Sequence, residues 1–279
     1  MLRELLGQSD DESGLPLIKG KRCVHALVEK AGCRACVDVC PKNAWQIDDA
    51  SVALDTSLCD GCGLCAPVCT EGAISHEYRM EDYSYQEEPV AFAVCENAEV
   101  ECDSGRIPCL HSLGLQELLK LHRQGIYILI VSAGDCNQCQ RGRVERLSNR
   151  ISSLNGMLLQ RGKKTFNCKI VSPSIFSELI KHFSPPESKK MSRRNFFRTG
   201  AGGLLEIKYE VAGKENTDHL PPGNLLPKEQ ASDMSIFSPR LNQGQCVGCD
   251  TCIKICPHNA LQIAHENSES YYQIEDDNC

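Results

Sequence analysis

The chain has 279 residues, a formal net charge of -7 and 19 cysteines. That length allows one to three domains, and the acidic balance argues against nucleic acid as a partner. With one Trp and aromatics at 5%, the two ends have thin apolar cores, so bound metal would supply much of their folding energy. In a secreted chain so many cysteines would mean disulfides. Here the spacings are those of metal ligands, so reduced thiols and a cytoplasmic protein are expected. The opening MLRELLGQSDDESGLP lacks a signal-peptide core, and no run approaches the roughly 18 apolar residues of a membrane span.

Residues 1–22 are polar and read as a loose lead-in. Residues 23–78 hold two cysteine runs, Cys33-x-x-Cys36-x-x-x-Cys40-Pro41 and Cys59-x-x-Cys62-x-x-Cys65-x-x-x-Cys69. A four-iron cube needs four soft thiolates converging on a small volume, and these are cubane ligand spacings. Residues 44–47 and 52–54 predict a strand pair after the first run, and residues 73–75 a strand after the second. Trp45 reads as a hydrophobic lid over a cluster. Gly61 and Gly63 let the backbone approach the sulfurs and donate N–H bonds to them.

The two runs together resemble bacterial two-cluster ferredoxins. The resemblance implies crossed ligation, with Cys59, Cys62, Cys65 and Cys40 on one [4Fe-4S] cluster and Cys33, Cys36 and Cys69 on three corners of the other. Thr70 replaces the usual Pro after Cys69. Lys30 stands where the first run should begin, and Cys23 is the nearest upstream thiol. Residues 24–32 would loop out to return Cys23 as the fourth ligand; His25 is the weaker candidate. A three-iron cluster, or a cube with an open corner, is the alternative.

Residues 79–88 are charged and read as a linker. Residues 89–184 then read as a cysteine-rich α/β domain. Residues 90–95 (VAFAVC) predict a buried strand and 105–110 a short second one. A helix capped by Ser112 carries Leu115, Leu118, Leu119 and Leu121 and ends at Gly125. Residues 126–132 predict a fully buried strand, followed by a helix over 141–159, a strand over 169–172 and a helix over 175–183. Alternating strands and helices imply a small, mostly parallel sheet covered on both faces.

Cys95, Cys109, Cys136 and Cys139, with Cys102 as a fifth candidate, fall at the carboxyl ends of these strands, where one crevice would gather them. Four thiolates there suit a [2Fe-2S] cluster, a [4Fe-4S] cluster or structural zinc; a free redox pair at Cys136 and Cys139 is the other reading. The pattern PCL…GDCxxC resembles the iron–sulfur subunit linking hydrogenases to heterodisulfide reductases, which implies a [2Fe-2S] cluster in an α/β domain. Cys168 reads as a small buried apolar residue, and Asp103, His111 and His122 as surface residues.

Residues 185–240 read as an irregular linker rich in turn signals. Its SRRNFFR segment looks like a twin-arginine motif, but only residues 201–205 follow as an apolar stretch, too short for an export signal, and a basic linker helix is the simpler expectation. Residues 241–279 begin a second ferredoxin domain. Cys246-x-x-Cys249-x-x-Cys252-x-x-x-Cys256-Pro257 is a full run, and residues 258–263 (HNALQI) repeat residues 42–47 (KNAWQI). Cys279 stands where a further run would open, so this unit is expected to be truncated, with one or two more [4Fe-4S] clusters if complete.

The fold class expected is α+β ferredoxin units flanking a small α/β domain. As a whole the chain resembles polyferredoxin-like 4Fe-4S proteins, including nitrate-reductase-associated ferredoxins. That implies electron transfer to or from a partner oxidoreductase, as a carrier or as a subunit of a larger complex. An accessory or assembly protein for an iron–sulfur or molybdenum oxidoreductase is the first alternative, and a ferredoxin-fed thiol site at Cys136 and Cys139 the second. No Gly-rich nucleotide fingerprint is present: Gly200, Gly202 and Gly203 neither follow a strand nor keep the spacing. No catalytic residue is assigned.

Overall fold

The computed structural model describes residues 14–29, 31–48, 51–78, 80–85, 88–101, 105–141, 145–183, 220–230, 233, 235–242, 244–266 and 269–279. Lys30, Cys102, Asp103, the SRRNFFR segment and the glycines at 200, 202 and 203 lie outside these residues.

The first unit comprises β1 (Leu17–Ile18), α1 (Val24–Leu27), α2 (Ala35–Val39), β2 (Trp45–Ile47), β3 (Val52–Leu54) and β4 (Ile74–Ser75). The β2–β3 hairpin pairs antiparallel in the register Trp45↔Leu54 to Ile47↔Val52. The partner of β4 was not anticipated. Leu17 and Ile18, read as part of a loose lead-in, pair with Ser75 and Ile74, and a short 3-10 turn at Gly20–Arg22 then delivers the chain to Cys23. Trp45 is buried among Cys65, Ile74 and the half-buried Cys36, Cys40 and Cys69, a lid that touches both cysteine runs.

The second layer is built on β5 (Glu81–Tyr85), β6 (Glu88–Cys95), β7 (Arg106–Ile107), β8 (Ile128–Ser132) and β9 (Asn167–Ile170). The order is β5-β6-β8-β9, with β7 beside the end of β6. Pairing is parallel from β6 to β8, β8 to β9 and β6 to β7, and antiparallel from β5 to β6. Residues 81–85, expected within a linker, form the edge strand instead: Tyr83 sets its ring edge against Phe92 at 5.5 Å. Residues 90–95 are buried throughout, because α3 (Leu115–Arg123), α4 (Glu145–Gln160) and α5 (Pro173–Phe183) supply Leu118, Leu119, Leu154, Leu158 and Phe176 to the same core. Gly114, rather than Ser112, caps α3, its N–H donating to the Glu117 carboxylate at 3.1 Å. Ser112 instead lies in a 3-10 turn, its hydroxyl donating to Cys109 O at 2.5 Å.

The end of the expected linker also folds. α6 (Pro222–Leu225) packs on α3, and Leu225 and Leu226 enter the middle core. Ion pairs Lys163–Glu229 and Lys228–Asp277 hold this segment to the middle domain on one side and the C-terminal unit on the other. That unit comprises α7 (Thr251–Ile255) and the hairpin of β10 (Leu261–Glu266) with β11 (Glu269–Ile274). The internal repeat is visible in the backbone. Asn43 and Asn259 adopt the same left-handed conformation, φ 51° and 54°, which Asn tolerates better than most residues. Each turns the chain so that Ala44 N–H reaches Cys40 Sγ at 3.4 Å and Ala260 N–H reaches Cys256 Sγ at 3.2 Å.

Candidate metal centres

Crossed grouping of the thiols follows from the way the two runs lie against each other. Cys36 is acted on electrostatically by Cys33 and Cys69, and Cys69 by Cys23. Cys40, conversely, acts on Cys59 and Cys65, and Cys62 and Cys59 act on Cys65. One group is therefore Cys23, Cys33, Cys36 and Cys69, here called site I. The other, site II, is Cys40, Cys59, Cys62 and Cys65. His25 is not turned to site I as a ligand: its Nε2–H donates to Cys33 O at 2.8 Å, which closes the loop that returns Cys23 to the group.

Burial pushes the Cys36 thiol up to about 11 and those of Cys62 and Cys65 up to about 12. Buried thiolates need compensating positive charge, which cluster iron supplies. Backbone N–H groups already point at the sulfurs: Gly61 at Cys59, Leu64 at Cys62, and Glu71, Ala73 and Ile74 at Cys69. Gly63 has another task. At φ +72° its missing Cβ would stand 2.5 Å from Tyr78 Oη and 3.1 Å from Ser112 Cβ, so the site II loop lies directly on the middle domain there. The donor set fits two [4Fe-4S] clusters.

Cys95, Cys109, Cys136 and Cys139 converge at the carboxyl ends of the parallel strands. All four line one narrow cavity, and Cys95, Cys136 and Cys139 act electrostatically on Cys109. His111 and His122, expected at the surface, are 5% and 9% exposed. His122 Nε2–H donates to Lys164 O at 2.9 Å, whereas His111 lines the cysteine cavity with neither ring nitrogen bonded. Cys168 lies in β9, half-buried against the core, its thiol pushed up to about 11 by burial.

Arg141 was not singled out by the sequence. It donates to Asp60 at 2.8 Å, to Glu96 at 2.6 Å and to Pro108 O at 3.2 Å, which locks the loop after Cys139 to the loop between Cys59 and Cys62. Its position two residues beyond a ligand-spaced cysteine was the one available signal. Cys62, Leu64 and Cys109 share one small apolar cluster, so site II and the middle cysteines are packed neighbours.

In the C-terminal unit Cys246 and Cys249 are exposed and Cys252 half-buried. Tyr272 O–H donates to Asp250 at 2.6 Å and lies near Cys246 and Cys252. Cys279 is acted on by Cys256, so these two stand together, as Cys59 stands with Cys40. Among the described residues, no three Cys, His, Asp or Glu side chains come close enough to share one metal ion, and no helix is long and apolar enough to cross a membrane.

Residues 31–73 match the family of 4Fe-4S dicluster domains and residues 239–262 that of 4Fe-4S binding domains. The chain therefore carries two ferredoxin-type 4Fe-4S stretches, and electron transfer is the general function that such domains support. Among curated proteins it is 55% identical over 40 residues to hydrogenase-4 component A of Escherichia coli, covering 14% of this chain and 20% of that one. It is 38% identical over 83 residues to an uncharacterized ferredoxin of Methanocaldococcus jannaschii, covering 28% of this chain and 48% of that one. The chain thus spans half or less of these relatives. No solved structure matches. Neither family match reaches the cysteines of the middle domain.

Proposed function

We propose that the protein carries single electrons to or from a partner oxidoreductase, with Cys23, Cys33, Cys36 and Cys69 holding one [4Fe-4S] cluster and Cys40, Cys59, Cys62 and Cys65 a second. The observation that carries this reading is the crossed grouping, in which each run lends its last cysteine to the other. When bound, such clusters accept and release one electron with little movement of atoms. The chain's own residues do the rest. Trp45 and Ile74 pack over Cys36, Cys40, Cys65 and Cys69, the N–H of Ala44 donates to Cys40 Sγ, those of Gly61 and Leu64 act on Cys59 and Cys62, and His25 fixes the Cys23 loop.

Cys246, Cys249, Cys252 and Cys256 extend the same chemistry into the C-terminal unit, whose α7 packs on α1 immediately after Cys23. The middle cysteines are a further station; [2Fe-2S] and zinc are the occupants their number suits. The likeness to a hydrogenase component supports a partner that is itself an oxidoreductase. Cysteines at cluster-ligand spacing, which bind iron only as reduced thiolates, support a cytoplasmic setting.

The test is anaerobic reduction of the cluster-loaded chain followed by mixing with an electron acceptor. Reversible bleaching, with the iron retained, is the result expected. Loss of iron and sulfide to an apo-protein without redox cycling would instead establish a cluster-donating accessory protein.

A further inference from the structure

The cavity at the end of the parallel strands carries an unanswered polar demand. His111 is 5% exposed and lines the cavity beside the four cysteines. Its ring always offers one N–H donor or two, and in the neutral form one lone pair as well. Neither nitrogen has a partner, and an orphaned buried polar atom carries its full desolvation cost. Arg146 and Arg150 both act electrostatically on His111. Arg146 keeps Nη1 buried without a partner. Arg150 donates to His111 O at 2.5 Å and Leu113 O at 3.1 Å, and it feels the charge of Cys109. His111 therefore brings an unpartnered ring to a cavity lined by four thiols, and the two arginines act on that ring. An iron–sulfur centre on four thiolates is an anion, and more so when reduced; net charge and hydrogen bonds to sulfur set its potential.

Geometry also says where its electron comes from. Cys109 packs with Leu64 and Cys62, and Arg141 ties the Cys139 loop to Asp60, so site II and the cavity meet through side chains in contact.

We propose that His111 donates a hydrogen bond to the iron–sulfur centre read above on Cys95, Cys109, Cys136 and Cys139 and stabilises its reduced form, with site II as the electron partner. This rests on the ferredoxin reading of site II. With clusters held by the site II and middle cysteines, one electron passed between them would oxidise the site II cluster by one unit and reduce one ferric ion of the middle centre to ferrous. No bond is made or broken and no proton is required.

The experiment is an EPR-monitored redox titration of the reconstituted full chain, wild type against His111→Leu and His111→Gln, with iron and zinc counted and thiol alkylation mapped on the loaded protein. The wild type should show a signal beyond the coupled [4Fe-4S] pair, reduced at a higher potential than site II, with all four middle thiols protected. His111→Leu should make reduction of that centre at least tenfold less favourable, about 59 mV downward for one electron, with the [4Fe-4S] potentials unmoved. His111→Gln, which keeps an N–H donor, should recover most of the shift. Zinc in the cavity, freely alkylated middle thiols beside intact [4Fe-4S] signals, or an unmoved potential in His111→Leu would overturn the proposal and leave the carrier reading standing. Absence of the [4Fe-4S] signals would overturn the carrier reading itself. Alkylation and metal count need only the wild type, so a poorly folding variant does not remove the test.

Discussion

Cys23 shows what a single residue decides. Ligand spacing predicts a thiol at position 30, where the chain has Lys30, and spacing alone left Cys23, His25 and an open corner as rivals. In the fold a 3-10 turn at Gly20–Arg22 leads into Cys23 and His25 bonds Cys33 O, contacts that no spacing rule contains. Replacing Cys23 with Ser should therefore disturb site I and spare site II. Iron analysis with EPR should show loss of up to one cluster's iron and loss of the spin coupling, with one [4Fe-4S] signal left; an unchanged spectrum would remove Cys23 from the ligand set. His111 and Arg141 were illegible for a related reason. A lone His and a lone Arg beside cysteines read as surface residues until the sheet places them against a second loop.

Gly63 makes a different residue-scale prediction. A Cβ there must clear Tyr78 Oη and Ser112 Cβ, and the left-handed φ adds strain for any L side chain. Gly63→Ala should destabilise the joint between the first unit and the middle domain by about 1–3 kcal/mol. Thermal unfolding of the loaded protein should register the loss, and proteolysis should reveal a loosened joint. A change within error would mean that the two units meet elsewhere.

At the scale of elements, strongly apolar stretches were readable and polar ones were not. Residues 90–95 are buried throughout, whereas in the stretch expected to be a fully buried strand Ile128 and Ile130 are only half-buried beside buried Leu129, Val131 and Ser132; both stretches announce themselves by composition. Residues 81–85 (EDYSY) look like a linker because an edge strand needs only one side to pair and a few residues such as Tyr83 to pack inward. Segment 220–230 was hidden by its prolines and charges, although Leu225 and Leu226 are 1% and 3% exposed. This segment acts as a strap. Gln116 Nε2–H donates to Leu220 O at 2.8 Å, and Gly223 N–H to Cys279 O at 3.2 Å, so it joins α3 to the end of the C-terminal unit. Leu225→Ala should cost about 2–5 kcal/mol, as for other fully buried leucines. Hydrogen exchange should rise in α3 and in residues 276–279 together; a rise confined to residues 220–230 would deny the strap its role.

Over the whole molecule the cysteine groups form a sequence of neighbours. The C-terminal unit meets site I through α7 on α1, site I and site II share Trp45, and site II meets the middle cysteines through Leu64. The cysteine runs made the individual ferredoxin sites legible, because ligand spacing is local. The order of the sites was not legible, because it is set by contacts between residues far apart in the chain. Since the thiols of sites I and II have little apolar core around them, the clusters should support folding of the first unit. Chelating the iron should unfold residues 14–78 while the middle sheet, with its own apolar core, keeps most of its structure, as circular dichroism and limited proteolysis can show.

Iron and acid-labile sulfide per chain, measured on anaerobically purified protein together with the EPR spectrum of the reduced state, test the central claim most directly. The account predicts at least about eight irons and as many sulfides for sites I and II, four per cube, with the spin-coupled signal of two nearby [4Fe-4S] clusters. Iron near zero after careful reconstitution, or a single uncoupled cluster in the wild-type chain, would contradict it.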